Sequence, residues 1–259
     1  MRLGFRAGWI ALVCTLVFLA GSASATPLLS DNFNDNSLNT SVWRTDTSTP
    51  AGGASVEEMN QRIELMNRGH LITQQQFDPA TIPGGLRISL EWTPVFLDSP
   101  YESLNIVTRS DAVPAQYHYG EAEYGISFQA TWTKLGVYSH NPLLGPSVGL
   151  IDHGLDIDSG DTFSFVVEDD GTNLSFTLTE ISGSQVGATA SVTATDSTVF
   201  ASNFITIYNR EYTNSGGDYG NKLSYIDNLT ITNPIPEPST ALLLGLGLVG
   251  MAAVRRRVR

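Results

Sequence analysis

Apolar and polar residues alternate one by one along much of the chain, and this pattern restricts the fold more than any other feature. In residues 86–92 every second residue is Leu, Ile or Trp, and Arg, Ser and Glu stand between them. The alternation recurs in residues 124–132, 163–167 and 174–178. Because successive side chains of a strand point to opposite faces, these stretches predict strands with one face on a core and the other in solvent.

Shorter runs rich in β-branched and aromatic residues predict further strands at 63–66, 71–77, 104–109, 192–194, 204–208 and 225–232. Asp170-Gly171, between two alternating runs, predicts a tight hairpin. A capped helical period is absent, and the best fragment, 55–67, predicts one short helical turn at most. The sequence therefore predicts an all-β fold of two packed antiparallel sheets.

Other residues receive simple structural predictions from this pattern. Trp43, Trp92 and Trp132 fit the alternation and are expected in the core. The isolated residues His70, His140 and His153 are expected at the surface or in turns. The long segments 47–54, 111–118, 139–161 and 209–221 are expected to be loops, and loops of this length often carry function.

Residues 1–25 have the three parts of a secretory signal peptide. Arg2 and Arg6 precede the apolar residues 9–20, and Ala23-Ser24-Ala25 is a small-residue cleavage site. We expect signal peptidase to cleave after Ala25. Cys14 is the one cysteine of the chain and lies inside this segment, so disulfides, thiol catalysis and thiolate metal sites are excluded from the mature protein.

The C-terminal segment, residues 234–259, also has three parts. Pro236-Glu237-Pro238 precedes residues 241–254, which carry neither charge nor hydrogen-bonding side chains, and Arg255, Arg256, Arg257 and Arg259 follow. Such an apolar run is expected to be helical in lipid but is short for a span of about 20 residues. The arginines are expected to hold its end on the cytoplasmic side.

These three parts closely resemble the PEP-CTERM sorting signal. The resemblance implies recognition by an exosortase, a membrane transpeptidase-like enzyme of Gram-negative bacteria that make extracellular polysaccharide. It also implies processing near Pro236, Glu237 and Pro238 after transient anchoring in the inner membrane. The product is then expected at the cell surface or in the extracellular matrix.

Residues 26–233 between the two signals are expected to form one domain, and its charge narrows the range of partners. Six of the 14 Lys and Arg residues lie in the signals, which leaves eight against 25 Asp and Glu residues and a net charge of −17. Such a surface repels nucleic acid, which excludes it as a partner, and it disfavours tight self-association at low salt.

The start of this domain, residues 31–43, resembles the first strand of concanavalin A-like (LamG-like) jelly-roll domains. In that family the closing strand, here residues 224–229, lies beside the first. The resemblance implies a two-sheet jelly-roll sandwich, a fold that hosts lectins, hydrolases, lyases and scaffolds alike. In this family a structural calcium often lies near the paired terminal strands, which suggests Asp31 and Asp227 as its ligands.

Catalytic patterns fit poorly. A retaining glucanase of this fold would carry Glu-x-Asp-x-x-Glu on one strand, whereas the nearest string here is Glu121-Ala122-Glu123, with neither third acid nor partner base.

Ser147 lies in a G-x-S-x-G string, but the nucleophile elbow needs an α/β sheet. Asp156, Asp158 and Asp161 resemble a calcium loop without the EF-hand's bidentate glutamate, so only a looser oxygen cage is open.

Three functions stay open at this stage. The first is a non-catalytic module that binds or organises extracellular polysaccharide, with Tyr117, Tyr119, Glu121 and Glu123 as glycan contacts, because exposed tyrosines can stack on sugar rings. The second is a purely structural matrix or adhesion protein. The third is a polysaccharide hydrolase or lyase that uses Glu121 and Glu123. No cofactor is expected, apart from a structural calcium.

Overall fold

The computed structural model describes residues 27–48, 53–95, 103–111, 125–140, 147–210 and 223–234, and these ranges contain fifteen strands and no helix. The strands are β1 (Pro27–Asp31), β2 (Trp43–Asp46), β3 (Ser55–Met59), β4 (Arg62–Met66), β5 (His70–Thr73), β6 (Leu86–Pro94), β7 (Ser103–Ser110), β8 (Gly125–Thr131), β9 (Lys134–His140), β10 (Ser147–Asp152), β11 (Thr162–Asp169), β12 (Asn173–Ser182), β13 (Thr189–Thr195), β14 (Phe204–Arg210) and β15 (Leu223–Thr232).

The strands form two antiparallel sheets. The eight-stranded sheet has the order β13-β12-β11-β6-β15-β4-β3, and β1 also pairs with β15. The seven-stranded sheet has the order β10-β9-β8-β7-β14-β5-β2. The first and last strands lie side by side, with Asp31 opposite Leu229. This pairing confirms the expectation drawn from the jelly-roll resemblance.

The core lies between the two sheets and is built from the apolar residues of each alternating strand. Trp92, Phe163, Phe165 and Phe176 of the eight-stranded sheet are fully buried, and Phe128 of the opposite sheet meets Phe176 edge to face at a centroid distance of 6.4 Å. The indole N–H of Trp92 donates to Oγ of Ser224 over 3.0 Å. A buried indole N–H group needs a hydrogen-bond acceptor, and Ser224 provides it. The Trp92 ring is therefore buried without leaving an unsatisfied donor.

The hairpin β3–β4 replaces the short helical turn predicted for residues 55–67. Its turn residues, Asn60 and Gln61, have φ values of +54° and +62°. Two consecutive positive φ angles define the type I′ turn that suits a two-residue hairpin. Asn-Gly is the usual sequence signal for this turn. Because Gln61 stands in the place of the glycine, the sequence did not indicate a hairpin here. By contrast, Gly171 at φ +94° confirms the hairpin predicted at Asp170-Gly171.

Two other predictions about the middle of the chain are wrong. Trp132 is 38% exposed rather than in the core. The Thr131 hydroxyl accepts the backbone N–H of Lys134 over 2.9 Å and turns the chain there, which ends the alternation one residue before Trp132. Strand β10 lies within the predicted loop 139–161, and Ser147 is its first residue.

At one side of the sandwich the two sheets approach each other closely. A Cβ placed on Gly149 of β10 would lie 3.0 Å from Cγ2 of Val192 and 3.1 Å from the carbonyl oxygen of Thr193, both on β13. The missing side chain therefore allows an edge strand of one sheet to lie against an edge strand of the other.

A buried ion pair joins the sheets at one end of the sandwich. Arg109, on β7, donates from Nε and Nη2 to the two carboxylate oxygens of Asp169, on β11, and the Nε contact is 3.0 Å. The Thr108 hydroxyl donates to Asp169 over 2.6 Å and the Gly171 N–H over 2.9 Å. The side chains of the pair are 4% and 0% exposed. The negative charge of Asp169 is therefore balanced by Arg109, and both of its carboxylate oxygens accept hydrogen bonds.

Within the described residues, no helix is long and apolar enough to cross a membrane. The predicted signal peptide and the predicted sorting helix lie outside the described residues. The domain limits at residues 25, 233 and 234 stay predictions.

We predict that Arg109→Met lowers the free energy of unfolding by about 3–5 kcal/mol, because it leaves the Asp169 carboxylate buried without its charge partner. The matched control is Arg87→Met, which breaks the Arg87–Glu168 pair, whose side chains are 43% and 41% exposed. An exposed pair contributes about 1 kcal/mol or less. Urea denaturation measures both variants, and equal losses would contradict the role assigned to Arg109.

Candidate functional site

A row of polar side chains crosses the outer face of the seven-stranded sheet. The strand registers place Asp46 beside His70, His70 beside Tyr208, Tyr208 beside Asn105, and Asn105 beside Gln129. The residues that follow or precede them along the strands, such as Leu71, Ile207, Ile106 and Phe128, belong to the core. The polar row therefore points away from the core.

Four members of this row are nevertheless buried. His70 and Asn105 are fully buried, Gln129 is 2% exposed and Tyr208 is 4% exposed. The rings of His70 and Tyr208 stack at a centroid distance of 4.6 Å and an interplanar angle of 22°. Carboxamides, imidazole and phenol are groups that pair with hydroxyls, but at this burial they form a polar layer within the protein rather than an open binding surface.

His70 is a correction to the sequence analysis, which expected a surface or turn residue. Burial lowers the pKa of His70 to about 4, although a hydrogen bond with the backbone of Arg68 and the charge of Asp46 act in the opposite direction. The imidazole is therefore neutral at pH 7. Its strand position between apolar neighbours carried no signal that separates a buried histidine from an exposed one.

An open groove of about 620 Å³ lies at the end of the sandwich that holds the Arg109–Asp169 pair. Its polar lining comes from β11, β12, β13 and the β11–β12 turn, and consists of Glu168, Asp169, Asp170, Asn173, Ser175, Thr193 and Thr195. A second hollow of about 610 Å³ shares Gly84, Asp170 and Asn173 with it and is bordered by the loop 79–85. Both volumes fall within the range of small-molecule sites.

The groups along the groove are held by hydrogen bonds. Asp170 accepts from the backbone N–H groups of Thr172 and Asn173, and its Oδ2 accepts from Nδ2 of Asn173 over 2.8 Å. Burial acts to raise the pKa of Asp170, but these hydrogen bonds and the charge of Arg109 together lower it. Asp170 is thus a fixed carboxylate, and it orients the Asn173 carboxamide.

Tyr117, Tyr119, Glu121 and Glu123, the predicted glycan contacts, lie outside the described residues, and their role stays a prediction. The chain leaves β7 at Asp111 and re-enters the described part at Gly125. A Cβ on Gly125 would lie 2.6 Å from the carbonyl oxygen of Thr108, the residue before Arg109. Both ends of the segment that carries these contacts are therefore anchored at the groove's end of the sandwich.

The two predicted calcium ligands lie on neighbouring strands but point to opposite faces of their sheet. Asp31 is paired with the core residue Leu229, and its carboxylate accepts the indole N–H of Trp43 over 2.9 Å. Asp227 is paired with Glu91 on the outer face. The register shifts after Asp227, and Asn228 has φ +50°. This bulge separates the two side chains, which sequence periodicity does not reveal.

Asp31 is instead near two other acids, Asp35 and Glu58. Partial burial raises the pKa of Glu58, and a hydrogen bond with Asp35 and the charges of Asp35 and Asp31 raise it further. Across the described ranges, however, no three His, Cys, Asp or Glu side chains are arranged as metal ligands. Calcium binding near the terminal strands stays a prediction.

Ala23 and Ala25, Pro236, Glu237 and Pro238, and Arg255, Arg256 and Arg257 lie outside the described residues. Their assignment as cleavage site, sorting motif and membrane stop therefore depends on the sequence.

We predict that folding stability falls as the pH decreases from about 6.5 to about 4, partly because His70 must stay neutral in the fold. The folded pKa lies below the unfolded value, so this contribution is present above pH 6.5 and lost towards pH 4. The difference corresponds to about 3 kcal/mol. His70→Gln should flatten this part of the profile, measured by urea denaturation at several pH values.

The control is His153→Gln, because His153 is only half-buried and burial lowers its pKa to a lesser extent. An unchanged pH profile in His70→Gln would contradict the prediction.

Comparison with known proteins supports the reading of both parts of the chain. Residues 234–257 match the family model of the PEP-CTERM protein-sorting motif. No curated protein sequence matches the chain. Solved structures match the sandwich over nearly their whole length at low sequence identity.

Three of these structures illustrate the likeness. Peanut lectin with a nine-residue peptide has 14% identity and a TM-score of 0.54, and the match covers 79% of this chain and 96% of the lectin. The metal-free lectin I-B4 of Griffonia simplicifolia has 12% identity and a TM-score of 0.57, and the match covers 78% of this chain and 98% of the lectin. The exoplasmic/lumenal domain of VIP36, solved in a Ca²⁺/Man3GlcNAc-bound form, has 9% identity and a TM-score of 0.54, and the match covers 81% of this chain and 92% of that domain. The chain therefore combines a lectin-like, concanavalin A-type jelly roll with a PEP-CTERM sorting motif.

Proposed function

We propose that this chain is an exported protein whose β-sandwich binds or organises extracellular polysaccharide without catalysis. The observation that carries the proposal is the combination of a lectin-like jelly roll with a PEP-CTERM sorting motif in one chain. The VIP36 domain of the same fold was solved with a glycan and calcium, and we extend that ligand class to this protein.

The groove is the proposed binding site among the described residues. It presents a fixed carboxylate, an oriented carboxamide and the hydroxyls of Ser175, Thr193 and Thr195, which are the groups that exchange hydrogen bonds with sugar hydroxyls. We propose that Tyr117, Tyr119, Glu121 and Glu123 complete the site, since both anchors of their segment lie at the same end. Tyrosine rings would add the stacking surface that the groove's described lining lacks.

Several contacts favour binding over hydrolysis. The groove carboxylates are engaged: Glu168 with Arg87 and Ser175, Asp169 with Arg109, and Asp170 with backbone N–H groups. A glycosidase needs one carboxylic acid to give up a proton and a second to attack or activate water. Lowering the pKa of Asp170, as its hydrogen bonds do, is unfavourable for a general acid.

We predict selective binding of the full chain, purified in mild detergent, to bacterial polysaccharides on a glycan array with calcium present. Asn173→Ala should weaken the best interaction about tenfold, which corresponds to the loss of one hydrogen bond of about 1.4 kcal/mol. Thr193→Ala should weaken it by a smaller factor. Isothermal titration calorimetry on the array hits measures both.

Thr189→Ala is the matched control, because Thr189 lies on the same strand and the same exposed face as Thr193 but outside the groove. Equal losses in Thr189→Ala and Thr193→Ala would place the site elsewhere. A folded protein with a blank array would favour the structural matrix role, and released reducing ends would reveal a hydrolase. Loss of binding in chelator would show that calcium takes part.

We also propose that exosortase processes the protein near residues 236–238, after signal peptidase has acted at Ala23 and Ala25 and while Arg255, Arg256 and Arg257 hold the tail at the cytoplasmic face. The product would then reach the surface or matrix of a Gram-negative cell.

Replacing Pro236, Glu237 and Pro238 together by alanine should make the full-length precursor accumulate in the inner membrane of an exosortase-bearing host. Ser239→Ala, just outside the tripeptide, is the control and should be processed normally. Cell fractionation and mass spectrometry of the C-terminus measure the outcome. A mature product of unchanged mass in the triple variant would contradict recognition of the tripeptide.

A further inference from the structure

A glutamate occupies the core-facing side of β12 at its far end. Leu174, Phe176 and Leu178 precede Glu180 on this side and belong to the core. Glu180 is itself 0% exposed. Burial of an ionised carboxylate costs several kcal/mol unless hydrogen bonds or an opposite charge compensate it.

The compensation of Glu180 is incomplete. Its Oε1 accepts the backbone N–H of Gln185 over 2.5 Å. Within the described residues, Oε2 is buried and has no hydrogen-bond partner. Gln185 belongs to the turn between β12 and β13, and its side-chain oxygen accepts the N–H of Asp156 over 3.2 Å. Oε1 of Glu180 is thus held in place by a hydrogen bond, whereas Oε2 is buried without a donor.

A second carboxylate with the same deficiency lies beside Glu180. Asp161 stands just before β11, and a Cβ placed on Gly183 would lie 2.4–2.6 Å from its three carboxyl-group atoms. Its Oδ2 is likewise buried without a hydrogen-bond partner among the described residues. Burial raises the pKa of Asp161, and the charge of Glu180, followed by those of Asp158 and Asp156, raises it further.

Neither Glu180 nor Asp161 belongs to an ion pair among the described residues. In the described ranges, Arg62, Arg87, Arg109 and Lys134 form their ion pairs with Glu64, Glu168, Asp169 and Asp152, respectively. A shared proton would join the two carboxyl groups by a short hydrogen bond of about 2.5–2.7 Å. Glu180 acts on Asp161 through its charge, and no hydrogen bond between the two carboxyl groups contributes to the shift in the pKa of Asp161. A cation between the two carboxylates fits this arrangement better than a shared proton.

We propose that Glu180 and Asp161 form the centre of a calcium-binding site between the β12–β13 turn and the loop that precedes β11. The oxygens of their carboxylates supply the charge, and backbone carbonyls and water supply the remaining ligands, since Ca²⁺ accepts six to eight oxygens in irregular sets. Asp156 and Asp158 add negative charge around the ion without being required as ligands. With two carboxylates, the dissociation constant is expected at about 1 mM, as in other extracellular modules.

This site is separate from the predicted calcium ligands at the terminal strands. It uses neither Asp31 nor Asp227, and its acids come from β12 and the start of β11. The site also does not depend on glycan binding, because the groove lies at the other end of β11, beside Asp169 and Asp170.

The test is thermal unfolding of the full chain in mild detergent, followed by tryptophan fluorescence, with chelator or with calcium at about 10 mM. The expected result is a rise in melting temperature of about 3 °C with calcium, as mass action predicts for a ligand at about tenfold its dissociation constant. Sodium chloride of equal ionic strength should have a smaller effect. Calorimetric titration should show the corresponding binding.

Glu180→Gln should abolish this calcium response and raise the melting temperature in chelator, because it removes a buried uncompensated charge but retains the bond to Gln185. Asp161→Asn tests the same site if the first variant does not fold. Glu58→Gln, in the acidic cluster near Asp31, is the control and should keep the response. An unresponsive wild-type protein, or full responses in both site variants, would overturn the proposal. Stabilisation by acid alone, lost in Glu180→Gln, would identify a bound proton instead.

Discussion

The ion pair between Arg109 and Asp169 is the connection on which the groove end of the sandwich depends. Most other contacts between the two sheets are apolar, and they fix the distance between the sheets but only weakly fix how one sheet is positioned along the other. Single hydrogen bonds, from Trp43 to Asp31 and from Asn209 to the carbonyl oxygen of Leu65, also join the sheets. A bidentate pair has a defined geometry. Arg109 also donates from Nη1 to the carbonyl oxygens of Asp196 and Thr198, at 3.1 and 3.0 Å. One side chain therefore positions three parts of the chain.

The backbone of Arg109 shows what this contact requires. Its φ is +53°, a left-handed conformation that costs about 1 kcal/mol or more for a residue with a side chain. Gly125, the first described residue of β8, lies against the carbonyl oxygens of Thr108 and Arg109. The β11–β12 turn, the groove and the two ends of the segment 112–124 therefore all lie near Arg109. Its backbone is strained and its guanidinium group is fully hydrogen-bonded.

Strand β11 ends at the buried Asp169 and begins beside the carboxylates of Glu180, which is buried, and Asp161, which is partly buried, and the charges at the two ends are balanced differently. Asp169 has an arginine and two further donors. Glu180 and Asp161 have backbone donors for part of their oxygens and negative neighbours around them. The carboxylate of Asp169 therefore stabilises its end of β11 whichever ions are in solution. The contribution of the carboxylates at the other end depends on which cations the solution supplies.

The sequence predicted most of the fold because burial on one face leaves a period of two in strands such as β6, β11 and β12. It failed where a local conformation interrupts that period. The positive φ angles of Asn60 and Gln61 create a hairpin without a glycine, and the turn held by the Thr131 hydroxyl ends the alternation before Trp132. The groove was not predicted for another reason: its residues come from several strands and meet only through strand order. The sequence left an oxygen cage open at Asp156, Asp158 and Asp161, but it gave no sign of Glu180, which strand pairing brings beside Asp161.

The contact of Gly149 with β13 has a consequence for contacts between copies of this protein. Exposed strand edges are templates on which other chains can add strands and grow into fibres. Where β10 lies against β13, this side of the sandwich offers an approaching molecule a bent seam between two sheets rather than a flat ladder. Strand addition between copies is therefore disfavoured on this side of the sandwich, and the opposite edges, β2 and β3, are where a further strand could add.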